Sequence, residues 1–165
     1  MDVSIIIVNY NTKELLSDCL SSIYYNTIDV DFEIIIVDNA SFDGSEDFIR
    51  FRYPHVIWIN SGENLGFGRA NNLGVKYAKG EYLFFLNSDT IVKNNAVKTF
   101  LTYMKNHHEG NIGVIGCMLL DPTGCPNNSF GLFPSPKNEL LYLLGKVFNE
   151  SINVLNRENN VDYIT

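Results

Sequence analysis

Three short polar clusters each close an apolar run: Asn9, Tyr10 and Asn11 follow residues 3–8, Asp38 and Asn39 follow 32–37, and Asn87, Ser88 and Asp89 follow 82–86. Singly, each has a plain explanation, because Asn, Asp and Ser at strand ends form turns or cap the next helix. Together they hold what a nucleoside diphosphate requires: a flat ring to cover a base, acceptors for base and ribose donors, and a carboxylate for a cation bridging two phosphates. That carboxylate is Asp89. A diphosphate is strongly anionic, and a chain of formal charge −7 holds it only with a divalent cation in between. Mg²⁺ or Mn²⁺ suits the role, since such hard ions take one or two carboxylates, substrate phosphate oxygens and water.

The elements that must position these residues read as βαβ units. Short apolar runs at 3–8, 32–37, 56–59, 82–86 and 112–120 alternate with amphipathic stretches, the pattern of a mostly parallel α/β sheet with helices on both faces. Leu15, Leu16, Cys19, Leu20 and Ile23 recur at helical spacing, as do Ala96, Val97, Phe100, Leu101 and Met104. Asn11 with Glu14, and Asp43 with Glu46, resemble capping boxes. A helix is expected over 66–79, ended by Gly80 in a left-handed cap. In such a sheet the ligand site lies at the carboxyl ends of the strands, where strand order reverses. Right-handed crossovers put the second strand on one side of the first and the fourth on the other, so the three clusters converge.

Other chemistries are disfavoured. The chain has neither a P-loop nor a GxGxxG after its first strand, so a dinucleotide dehydrogenase does not fit. The acidic balance disfavours a nucleic-acid partner. Cys19, Cys117 and Cys125 lack the paired spacing of a zinc site and read as reduced thiols of a cytoplasmic protein. No apolar run approaches the roughly 20 residues of a membrane span, and no secretory leader is expected. Gly66 opens a helix whose amides could face an anion. Arg69 in its first turn opposes the helix dipole, which suits either a phosphate contact or simple exposure. His107 and His108 fit a helix end. Prolines at 122, 126, 134 and 136 break regular structure up to an amphipathic stretch at 140–148, expected to pack on its own domain, with a membrane-surface contact as the alternative.

The stretches VSIIIVNYN (3–11), EIIIVDNASFDGS (33–45) and NLGFGRANNLGVKYAKGEYLFFLNSDT (64–90) resemble the family 2 glycosyltransferases of the GT-A fold, and their order and spacing suit its rhamnosyltransferase-like branch. The resemblance implies that Val8 and Tyr10 flank the base, that Asp38 bonds a uracil or thymine ring, and that Asn87 and Asp89 stand for the DXD motif with Asp89 on the metal. Asn9, Asn39, Gly66, Arg69, Asn72 and Ser88 are further candidates for nucleotide-sugar contacts. It implies a Rossmann-like core over 1–120 and the start of an acceptor-side region of the same domain over 121–165, with the catalytic base expected beyond Thr165. The expected reaction is inverting transfer from a UDP- or dTDP-sugar to a glycan or lipid-linked acceptor, in surface polysaccharide synthesis at the cytoplasmic membrane face. Asp121 is expected to be a turn residue. A non-catalytic nucleotide-sugar-binding module and a sugar-nucleotide nucleotidyltransferase are the alternatives, and the latter's glycine-rich, basic phosphate loop is missing. Surface left uncovered by the truncation would favour self-association.

Overall fold

The computed structural model describes residues 1–107, 112–117 and 119–127. The chain divides into two compact units, Met1–Asn111 and Ile112–Thr165. The first runs β1 (Val3–Asn9), α1 (Lys13–Asn26), β2 (Phe32–Asp38), α2 (Ser45–Arg52), β3 (Ile57–Asn60), α3 (Phe67–Val75), β4 (Tyr82–Asn87) and α4 (Ala96–Asn106). Its strands form one parallel sheet in the order β3-β2-β1-β4, so β1 is the pivot with β2 on one side and β4 on the other.

Burial on both faces explains why β1 and β2 read as continuous apolar runs rather than alternating ones. Ile5, Ile6 and Ile7 are all fully buried, at about 1.5–3 kcal/mol each. Val3, Ile5 and Ile7 share a core with Ile34, Ile36, Leu16, Cys19, Leu20, Ile23, Ile49, Val97 and Leu101, which places α1, α2 and α4 on one face. The opposite face, with Ile6, Ile35 and Val37, receives α3. A Cβ on Gly74 would lie 2.7 Å from Ile6 Cγ2, so the missing side chain is what lets α3 approach the sheet.

The boundaries differ from the sequence reading in informative ways. All four strands run one residue further than their apolar runs, taking in Asn9, Asp38, Asn60 and Asn87, because the ladder pairs Asn9 with Asp38, Asp38 with Asn60 and Val8 with Asn87. Helix α3 stops at Val75, well short of 79, and Gly80 does not cap it. Gly80 instead presses on β1, where a Cβ would fall 2.4 Å from the Ser4 backbone nitrogen. Neither capping box forms. Asn11 has left-handed φ (54°) and its Oδ1 accepts the Phe42 amide, while Thr12 holds the N-cap position of α1 without a side-chain cap bond. Asp43 serves both helices, accepting the Lys13 amide at 2.9 Å and the Ser45 amide at 3.1 Å.

In the second unit the strand expected over 112–120 shrinks to β5 (Leu119–Leu120), which pairs antiparallel with β6 (Pro126–Asn127). Residues 112–117 form no regular element. They include Gly113 and Gly116, whose strand tendency is weak, and Val114 is exposed. Asp121 makes the turn between β5 and β6, its Oδ1 accepting from the Thr123 and Cys125 amides. His108 and residues 140–148 lie outside the described residues.

Candidate functional site

At the carboxyl ends of β1, β2 and β4, strand pleating sorts the clusters. Alternate residues of a strand face opposite sides of the sheet. Asn9 and Asp38 continue the series of Ile7 and Ile36, toward α1 and α2, whereas Val8 and Asn87 face the side of α3. Asn9 and Asp38 are accordingly buried, at 0% and 3% exposure. The Asp38 carboxylate is consumed internally: Oδ1 accepts from Asn9 Nδ2 at 2.7 Å and from the Ser41 hydroxyl at 2.5 Å, and Oδ2 accepts the Ser41 amide at 3.0 Å. Since the carboxylate only accepts, the Asn9 amide nitrogen must face it. Asn9 Oδ1 therefore faces the Thr12 hydroxyl, at 2.8 Å.

Above this buried layer lies an open crevice of about 380 Å³ lined by Val8, Tyr10, Asn39, Asn87, Ser88 and Asp89, with Thr12, Leu15, Asn64, Gly66 and Phe67 completing it. That volume lies within the range of small-ligand sites. Tyr10 is half-exposed. The Asn39 Oδ1 accepts the Leu65 amide at 3.1 Å, which leaves its Nδ2 hydrogens without a partner among the described residues. Asp89 is exposed and, among the described residues, makes no side-chain hydrogen bond or ion pair and is the one charged residue lining the crevice. Behind the Asn87–Asp89 loop the Cys19 thiol donates to the Asn87 carbonyl at 3.7 Å. Burial, with the Asp89 charge adding to it, pushes that thiol up to about 12, so it remains a protonated donor.

The sequence-derived candidates thus separate. Val8, Tyr10, Asn39, Gly66, Asn87, Ser88 and Asp89 come together. Asn9 and Asp38 do not line the crevice, and the shared exposure expected of Tyr10, Asp38 and Asp89 holds for Tyr10 and Asp89 alone. Arg69 is exposed and its Nε donates back to the Leu65 carbonyl at 2.9 Å, and Asn72 is exposed outside the lining. Four lining residues lie outside the sequence-derived candidates: Leu15, whose spacing reads as helix face, and Thr12, Asn64 and Phe67, to which the sequence reading assigns no site role. The period-2 alternation of the strands was the available signal for separating Asp38 from Asn39.

Among the described residues no group of three or more His, Cys, Asp or Glu side chains could enclose a metal ion. Asp89 alone still fits a Mg²⁺ or Mn²⁺ that takes its remaining ligands from phosphate and water: it is a hard oxygen donor, unpaired, and open to the crevice.

Comparison with known proteins identifies the family and the fold. Residues 4–159 match the family described as Glycosyl transferase family 2. The chain belongs to glycosyltransferase family 2. Within the family it is 36% identical over 112 residues to the poly(ribitol-phosphate) beta-glucosyltransferase of Bacillus spizizenii, covering 65% of this chain and 18% of that protein. It is 29% identical over 148 residues to the low-salt glycan biosynthesis hexosyltransferase Agl10 of Haloferax volcanii, covering 87% of this chain and 44% of that one. The chain thus spans less than half the length of these curated relatives. Its fold matches the mannosyltransferase PcManGT of Pyrobaculum calidifontis, solved with GDP-Man and Mn²⁺, at a TM-score of 0.62 and 23% identity over 73% of this chain and 36% of that one. It also matches S. aureus TarS 1-349 in complex with UDP-GlcNAc, at a TM-score of 0.58 and 24% identity over 72% and 38%. The α/β sheet is that of the GT-A glycosyltransferases. Among the described residues no helix is long and apolar enough to cross a membrane.

Proposed function

We propose that this chain is the donor-binding part of an inverting glycosyltransferase that transfers a sugar from a UDP- or dTDP-linked donor to a glycan or lipid-linked acceptor hydroxyl, in polysaccharide synthesis at the cytoplasmic face of a membrane. The observation that carries the reading is the crevice in which Tyr10, Asn39, Asn87 and Asp89 meet across three strand ends. Tyr10 covers the base. Asn39, whose amide hydrogens have no partner among the described residues, takes the base edge from the crevice wall in place of Asp38, whose carboxylate is bonded internally, and Asn87 meets ribose or sugar hydroxyls. Asp89 carries the Mg²⁺ or Mn²⁺ site.

In the reaction the acceptor oxygen attacks the anomeric carbon from the face opposite the diphosphate, the bond to the phosphate oxygen breaks, and the acceptor proton passes to a base outside the described residues. A bound divalent cation would neutralise charge on the departing diphosphate. Residues 121–165 begin the acceptor-side region in this reading. The exposed Leu83 and Phe85 of edge strand β4 support self-association of the chain in isolation.

Calorimetric titration of the chain with UDP tests the donor site. Binding is expected with Mn²⁺ present, and Asp89→Ala should abolish the metal-dependent part. Equal affinity in excess chelator would remove the metal from the reading, and no binding of UDP or dTDP under either condition would remove the donor site.

A further inference from the structure

Thr12 stands at the N-cap of α1, with φ −126° and ψ 41°, yet its hydroxyl caps nothing in its own helix. A threonine at this position ordinarily accepts from an amide of the first turn. Here the local bond is given up for two distant ones: Oγ1 lies 2.8 Å from Asn9 Oδ1 and 2.9 Å from Ser88 Oγ, a residue 76 positions further along the chain. Asn9 Oδ1 can only accept, so the single Thr12 proton goes there, and the Ser88 hydroxyl supplies the proton of the second bond. The amide of Lys13, the first residue of the helix, is satisfied by Asp43.

The consequence falls on the loop that carries Asp89. That loop is held by helix α1 at two points: Thr12 bonds the Ser88 side chain and, two turns later, the Cys19 thiol bonds the Asn87 backbone carbonyl. Asn87 O also accepts the Thr90 amide at 3.2 Å, closing the loop into a tight turn with Asp89 near its apex. The far end of the Thr12 tie is anchored in the buried Asn9–Asp38 layer. An isolated carboxylate on a turn would sample several orientations, and a cation held by only one protein charge loses affinity when that charge is not pre-positioned.

We propose that Thr12 is a positioning residue, which through its bond to Ser88 orients Asp89 for a divalent cation shared with the donor diphosphate. The inference rests on the donor-site reading but adds a residue that acts on Asp89 through Ser88.

The test compares UDP affinity with Mn²⁺ and with EDTA for the full chain and for Thr12→Val, Thr12→Ser, Ser88→Ala and the Thr12→Val/Ser88→Ala pair, with bound Mn²⁺ followed by electron paramagnetic resonance. Thr12→Val should cut the Mn²⁺-dependent gain, taken as the ratio of affinities with Mn²⁺ and with EDTA, about tenfold, equivalent to about 1.4 kcal/mol. Thr12→Ser should restore the gain. Ser88→Ala leaves the Thr12 bond to Asn9 in place, so it probes the tie even if Thr12→Val folds poorly, and it should reproduce the tenfold loss. The double variant should be no worse than either single one, because both remove the same bond. An unchanged gain in Ser88→Ala, losses that multiply to about a hundredfold, or a Thr12→Ser variant as weak as Thr12→Val would each overturn the proposal. If the parent chain binds UDP equally with and without Mn²⁺, the metal part of the donor-site reading fails first and takes this inference with it.

Discussion

Replacing Asn9 by Asp changes one side-chain group, NH₂ for O, at the centre of the buried layer. In the parent, Asn9 Nδ2 donates to Asp38 Oδ1 at 2.7 Å, and both residues are at most 3% exposed. Asn9→Asp sets a second carboxylate against the first. If both ionise, charges about 4 Å apart at an effective dielectric of about 20 repel by about 4 kcal/mol. If instead the pair keeps one proton, holding it at pH 7 on a carboxyl of ordinary pKa near 3.9 costs about 3 pH units, again about 4 kcal/mol. The two routes agree, so a loss of about 4 kcal/mol at pH 7 is expected, a large part of the roughly 5–15 kcal/mol typical of a domain. The protonated route also fixes the pH dependence. The native variant binds a proton that the unfolded chain releases, so the variant regains stability relative to the parent as pH falls, by about 1.4 kcal/mol per unit. Urea denaturation at pH 7 and pH 5 should therefore give losses of about 4 and about 1.5 kcal/mol. A loss below about 1 kcal/mol at pH 7 would mean that Asn9 and Asp38 are not in contact, and an equal loss at both pH values would mean that charge is not the cause.

Two further outcomes follow from the same packing. At Asp43 burial works to raise the carboxyl, but bonds from the Ser45 hydroxyl and amide and from the Lys13 amide outweigh it and hold the group below its usual range. Its contribution is therefore complete above the unfolded value near 3.9 and lost as pH falls through the lower folded value, and Asp43→Ala, costing about 1–2 kcal/mol at pH 7, should flatten that acid limb in a pH-dependent melting series. A thiol reagent at pH 8 should label exposed Cys117 and Cys125 in the folded chain, and buried Cys19 only after denaturant is added. Early labelling of Cys19 would show that the loop above it opens.

Much of the molecule was legible in the order of its residues. The apolar runs predicted the four parallel strands, and the crossover rule placed β1 between β2 and β4. That placement alone brings Tyr10, Asn39 and Asp89 to one rim. These inferences succeed because period and handedness are local properties of the chain. The strand expected over 112–120 is confined to Leu119–Leu120, because an apolar composition interrupted by Gly113 and Gly116 has a weaker strand tendency than the runs of β1 and β2.

What the sequence by itself determined is which elements form and which polar clusters end them. What only the tertiary structure decided is which member of each cluster reaches the crevice and what the others do. Asp38 and Asn39 are neighbours in sequence and equally buried, but the Asp38 carboxylate is taken up by Asn9 and Ser41 on the α1 and α2 side of the sheet, whereas Asn39 forms part of the crevice wall. Thr12 looks like an ordinary helix start until β4, some 70 residues away, delivers Ser88 to its hydroxyl. Such partners are chosen by the packing of elements far apart in the chain, and no local pattern encodes a hydrogen bond whose two ends meet only after the sheet has closed.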